Sequence, residues 1–93
     1  MNGCDWSYRG DYVRERQGIE PDRGNEAMHD PGALRISPDP SSRSGRSDRT
    51  ISYSPAAGCL LTVITLADGP VTYGVNGWRS NSSDARRYKE EAP

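Results

Sequence analysis

Of the 12 basic residues in the chain all but Lys89 are arginines, a bias that favours planar, two-pronged contacts to carboxylate or phosphate over diffuse attraction. A GC-rich genome would leave the same trace. The arginines in the most telling places are Arg49, which enters a strand-like segment, Arg79, which closes another, and Arg86 and Arg87 in the last polar stretch. Beside them stand Trp78, a stacking face worth about 1 to 3 kcal/mol per base where exposed, and Tyr88, whose hydroxyl could bond a phosphate. Each has a plainer reading. Arg86 and Arg87 stand four residues before Glu90 and Glu91, the spacing of a solvated helix face. Tyr88 would anchor a helix to a sheet, and Trp78 would sit in the core.

Metal and cofactor chemistry has little to build on. His29 is the only histidine, and Cys4 and Cys59 are far apart in the sequence, so no close pair of ligands exists for zinc. No metal and no cofactor is expected. His29 precedes Asp30-Pro31 at an expected helix end, where a cation is favoured by the helix dipole. Cys59 lies in an apolar run and reads as a small core residue rather than half of a disulfide. Arg43 and Arg46 belong to a Ser/Arg loop, solvated and mobile in the simplest reading, in contact with phosphate or a partner in the other.

The elements that must position these residues are punctuated clearly. A first helix is expected from a Ser7 cap through Gln17, with Tyr8, Tyr12 and Val13 on one face and Gly18 as its stop. Pro21 suits the first turn of a second helix running through Ala27 and Met28. From Ala33 the period becomes two: Leu34 and Ile36 form a short strand that Pro38 and Pro40 end. Thr50 to Ser54 alternates again, with Ile51 and Tyr53 on one face. Cys59 to Ala67 is the most apolar and β-branched run, as in a central strand covered on both sides. Asp68-Gly69-Pro70 turns the chain into Val71 to Trp78, where Val71, Tyr73 and Val75 oppose Thr72, Asn76 and Trp78. Asn81 followed by Asp84 resembles a capping arrangement for a helix from Ser82 to Glu91.

The 93 residues have room for one core, and 32% hydrophobic content with ten glycines and seven prolines makes it thin. One domain spanning residues 1–93 is therefore expected, of the α+β class: a mostly antiparallel four-stranded sheet, two N-terminal helices and one C-terminal helix. Its expected core is Ile51, Tyr53, Leu61, Val63, Ile64, Val71 and Val75. Net charge −1 excludes a nucleic-acid protein that works by bulk positive charge, though not one with a local basic site. No run is long enough for a membrane helix and the start lacks a secretion signal, so a cytoplasmic protein is expected.

The order of Trp6, the Gly18-Ile19 pair, Glu26-Ala27 and Asp30-Pro31, then RTISYS, GCLLTVIT and NSSDARRYKEE, resembles the BrnT family of bacterial toxins from Trp6 to Glu91. The resemblance implies a RelE-like fold, a type II toxin-antitoxin pair, a small antitoxin partner with which a heterotetramer would form, and RNA as substrate for a metal-independent endoribonuclease of the mRNA interferase type. Family members usually carry histidine where this chain has Gln17. They also carry a Ser-Ala-Arg type segment where it reads Val75 to Asn81, with Arg79 supplying the arginine one position later.

Such cleavage needs a proton taken from the 2′-hydroxyl, charge stabilised on the phosphate and the leaving 5′-oxygen protonated. Arg79 and Arg86 would serve the phosphate, as near neighbours where the last strand meets the last helix, with Gln17 in the third catalytic place. Arg49, Trp78, Arg87 and Tyr88 would hold RNA. Gln17 cannot titrate, and nothing in sequence distinguishes Glu15, Glu20, Glu26 or Asp84 as the base. The alternative is a non-catalytic, degenerate toxin-fold module that keeps its fold and its antitoxin-like partner.

Overall fold

A computed structural model describes residues 4–91. Gly18 ends the first helix as expected: it takes up a left-handed conformation (φ 67°) that costs glycine nothing, and its N–H closes on the Arg14 carbonyl. That helix, α1 (Gly10–Gln17), is followed by α2 (Pro21–Ala27), which Pro21 opens. Four strands come next, β1 (Leu34–Ile36), β2 (Ser47–Ser54), β3 (Cys59–Asp68) and β4 (Val71–Arg79), and then α3 (Ser82–Glu91). The strands pair in sequence order and every pairing is antiparallel, so the α+β class and the order of elements are as the sequence implied.

The sheet is covered on both faces. Leu61 and Val63 stand opposite Ser52 and Thr50 on β2, and opposite Arg79 and Gly77 on β4. This face packs against α1 and α2 in a buried cluster of Val13, Ile19, Ala27, Leu61 and Val63. Thr62, Ile64 and Ile51 point to the other face, where α3 lies, and all three are buried. The apolar run of β3 is therefore central and two-sided, each buried Leu, Ile or Val contributing about 1.5 to 3 kcal/mol.

Trp6 wedges between layers. Its indole N–H donates to Asn25 Oδ1 at 2.9 Å. Its ring lies so close to β4 that a Cβ on Gly74 would overlap Trp6 Cε2 and Cδ2, an approach that only glycine permits. Asp5 runs beside β4, exchanging 2.8 Å bonds with the Thr72 carbonyl and the Gly74 N–H, and so covers part of that exposed edge.

Several expectations are corrected. Ser7 does not cap α1: both its N–H and its hydroxyl donate to Asp5 Oδ1, at 2.8 and 2.5 Å, and the helix begins three residues later, behind Arg9. Of the expected apolar face of α1 only Val13 is buried, whereas Tyr8 is 79% exposed and Tyr12 is 36% exposed. Tyr53 leaves the core, at 43% exposure, and Val71 and Val75 are only half-buried. The alternation expected in β4 breaks at a bulge, because Ile64 pairs with Asn76 and Thr65 with Gly74, leaving Val75 as the extra residue. One inserted residue reverses the facing of the residues beyond it, so Tyr73 and Trp78 share a face instead of opposing each other.

Candidate functional site

Arg49 occupies the centre of a buried polar brace. It faces α3 from β2, and its Nε donates to Asp39 Oδ1 at 2.9 Å while Nη1 donates to Asp84 at 3.0 and 3.3 Å. Both carboxylate side chains are nearly sealed from solvent and the arginine is only 16% exposed. Thr62 Oγ1 donates to Asp84 Oδ2 at 2.8 Å. That spends its one proton, so the 2.8 Å contact between Thr62 and Ser80 has Ser80 as donor. The brace thus ties the Pro38–Pro40 segment, β2, β3, the end of β4 and α3 together, and charge-assisted bonds of this kind are the strong ones. Asn81 caps α3 as its spacing implied, accepting the Asp84 N–H at 2.9 Å. Trp78 is half-buried with the Arg49 guanidinium 5.7 Å from its ring centroid, so one of its faces looks on the brace.

Arg79 and Arg86 do not come together. Arg79 stands opposite Leu61 on the face covered by α1 and α2, and its Nη1 reaches the Cys59 thiol at 3.4 Å. Arg86 is an exposed residue of α3, whose buried Asp84 touches the opposite face. The side of the sheet to which a β4 residue points, and not the nearness of the two elements in sequence, separates them. Gln17 ends α1 on the Arg79 side. Arg79 is exposed and has no carboxylate partner among the described residues. Cys4 and Cys59 are both free thiols; burial, partly offset by Arg35, raises the pKa of Cys4.

Arg87 pairs with Glu91 at 3.0 Å, while no ion pair forms between Arg86 and Glu90. Tyr88 is an anchor: its hydroxyl donates to Asp30 Oδ2 at 2.7 Å, and Gly32 lies tight beneath it. Asp30 is a hub that also accepts the N–H groups of Tyr53 and Gly32, each at 2.8 Å. Burial acts to raise the Asp30 pKa, but these three donors outweigh it and hold the carboxyl below its ordinary value. The Tyr88 phenol is correspondingly raised, first by its bond to that carboxylate, then by burial.

Of the acids considered as a base, Asp84 is committed to Arg49 and Thr62, and Glu20 to Arg14 at 3.0 Å. Glu26 accepts from Ser54 Oγ at 2.6 Å and the Ala56 N–H at 3.0 Å, bonds that keep its pKa low. Glu15 is exposed on α1. His29 lines a shallow groove of about 270 Å³ with Glu26, Asp30, Pro31, Tyr53 and Pro55. Among the described residues no group of three or more His, Cys, Asp or Glu gathers to hold a metal ion, and no helix is long and apolar enough to cross a membrane.

Sequence reasoning missed Asp39, Thr62 and Ser80, and it missed Asp30 as a hub. These depend on contacts between residues distant in the chain, for which local spacing carries no signal. It also missed an aromatic and cationic strip that runs from β4 through the segment before α1 onto α1 itself. There the Arg9 guanidinium lies 4.0 Å from the Tyr12 ring centroid, Arg16 lies 5.8 Å from it, and Tyr8 meets Tyr73 edge to face at 5.6 Å. The i, i+4 spacing of Tyr8, Tyr12 and Arg16 was the available signal. No protein-family model, no curated protein and no solved structure matches this chain.

Proposed function

We propose that this protein is a BrnT-like module of RelE-type fold that works by binding an antitoxin-like protein partner and does not cleave RNA. The observation that carries this reading is the separation of the arginines on which cleavage would depend. Arg79 and Arg86 lie on opposite faces of the sheet, and Arg49 is held between two buried carboxylates. A phosphate in flight needs donors that converge on one point and a titratable partner within hydrogen-bond reach. Around Arg79 the contact is a thiol, and Glu26 on α2 and Asp84 on α3 are engaged elsewhere.

The second reading, a metal-independent endoribonuclease acting as the toxin of the pair, is favoured by one arrangement. Gln17 and the exposed, carboxylate-free Arg79 belong to the same side of the sheet. Induced expression without a partner, followed by growth and by the integrity of cellular RNA, separates the two. The binding module leaves growth and RNA unchanged and forms a complex when co-expressed with the product of a neighbouring short reading frame. The enzyme arrests growth, cuts RNA in the presence of EDTA, and loses 100-fold or more in rate on Arg79→Ala. Gln17→His then raises the activity if that position supplies the acid or base.

A further inference from the structure

Most arginines near an acid are neutralised by it: Arg14 by Asp11 and Glu20, Arg35 by Asp48, Arg49 by Asp39 and Asp84, and Arg87 by Glu91. Arg9 and Arg16 are different. Both are exposed, neither has a carboxylate partner among the described residues, and both lie over the same tyrosine ring. Arg9 spends its Nε on the Val75 carbonyl at 3.1 Å, which ties the guanidinium to β4 and leaves its two amino groups without a hydrogen-bond partner among the described residues. Stacking on Tyr12 holds each fork without using its hydrogen bonds. Tyr8, the most exposed of the large hydrophobic side chains, extends the strip, braced by Tyr73.

We propose that Tyr8, Arg9, Tyr12, Arg16 and Tyr73 form the docking surface for an acidic segment of the partner protein. The proposal rests on the binding reading above and adds the surface and its chemistry. Tyrosine and arginine are the side chains that concentrate binding energy at protein interfaces. The Arg9 and Arg16 guanidinium carbons lie 4.0 and 5.8 Å from the same ring centroid, hence no more than about 10 Å apart, a span that two carboxylates seven apart on a partner helix or three apart on an extended segment cover. Charge favours a peptide over RNA. The exposed Asp5, Asp11 and Glu15 flank the strip, so it offers two isolated cationic positions, Arg9 and Arg16, which suit two spaced carboxylates and not a continuous line of phosphates, for which the net charge of −1 provides no long-range attraction. Docking goes through side chains rather than strand addition, because Asp5 and Arg9 already occupy the Thr72, Gly74 and Val75 backbone groups on the outer edge of β4.

Peptide selection on the immobilised full chain, with the Arg9→Ser/Arg16→Ser variant as counter-target, tests this. Enriched peptides should carry paired Asp or Glu at one of the two spacings. By fluorescence anisotropy an enriched peptide should bind at least tenfold more weakly to Tyr12→Ala and to the double variant, and equally well to Arg86→Ala. Unchanged circular dichroism and urea midpoints certify that these surface variants are folded. The proposal is overturned by a lack of enrichment over the counter-target, by enriched peptides without carboxylates, or by a 12-nucleotide oligouridine binding more tightly than any of them. The growth and RNA assays report on the binding reading separately, so each can fail alone.

Discussion

Replacing Arg49 by methionine keeps most of the side chain's volume and removes its charge. The structure sets the size of the effect. Three bonds to carboxylates are lost, at 2.9, 3.0 and 3.3 Å, and the side chains of Asp39 and Asp84, 6% and 5% exposed, are left with no cation. Leaving a buried charge uncompensated costs about 3 to 5 kcal/mol, against a total stability of roughly 5 to 14 kcal/mol for a domain of this length. Urea unfolding followed by the fluorescence of Trp6 and Trp78, with an m-value on the order of 1 kcal/mol/M, should show the midpoint fall by several molar or the folded baseline vanish. Adding Asp39→Asn and Asp84→Asn should recover most of the loss, because the amides carry no charge to strand. Arg87→Met is the control: that arginine also pairs with a carboxylate, but both partners are exposed, and the midpoint should not move. If Arg49→Met costs less than about 1 kcal/mol, or if the triple variant is no more stable than the single one, the brace is not the buried charge network argued above.

Gly74→Ala should destabilise the protein by about 1 to 3 kcal/mol in the same assay, because the new methyl displaces the Trp6 ring; a neutral result would mean that Trp6 does not wedge the helices to β4. Thr50 Oγ1 and Ser52 Oγ are buried without a hydrogen-bond partner, so Thr50→Val and Ser52→Ala should each leave stability unchanged or raise it by about 1 kcal/mol; a clear loss in thermal melts would reveal a partner for those hydroxyls. The depressed pKa of Asp30 adds stability that is present above its unfolded value, about 3.9, and lost as pH falls through the folded one. The raised pKa of Tyr88 adds stability that is present below about 10 and lost as pH climbs through its folded value. Tyr88→Phe should therefore remove the alkaline loss due to this phenol and move the Asp30 titration, followed by NMR, upward; an unmoved Asp30 would show that the 2.7 Å bond does not persist in solution.

Local chemistry was enough to give the order of the elements and several of their ends, though not the starts of α1 and β2. Gly18 stops α1 because its φ is positive, Pro21 opens α2 because it needs no N–H there, Gly69-Pro70 separates β3 from β4, and Asn81 caps α3. Each of these signals acts within a few residues, so each is written in the sequence. The two-sided burial of β3 was legible for a related reason, since a run of apolar and β-branched residues has no polar face to offer water. What the side chains do there was decided by tertiary structure. Alternation says that Arg79 and Trp78 point to opposite sides of the sheet but not which helix covers each side, and one bulge at Val75 resets the alternation in β4. Whether an arginine is free for a ligand depends on acids far along the chain: Arg49 is bound by Asp84, 35 positions away, while Arg16, with Glu15 beside it in sequence, faces Tyr12 instead. Burial turns one arginine–carboxylate pair into a brace and exposure makes another dispensable, and burial is a property of the packed chain that no local spacing encodes.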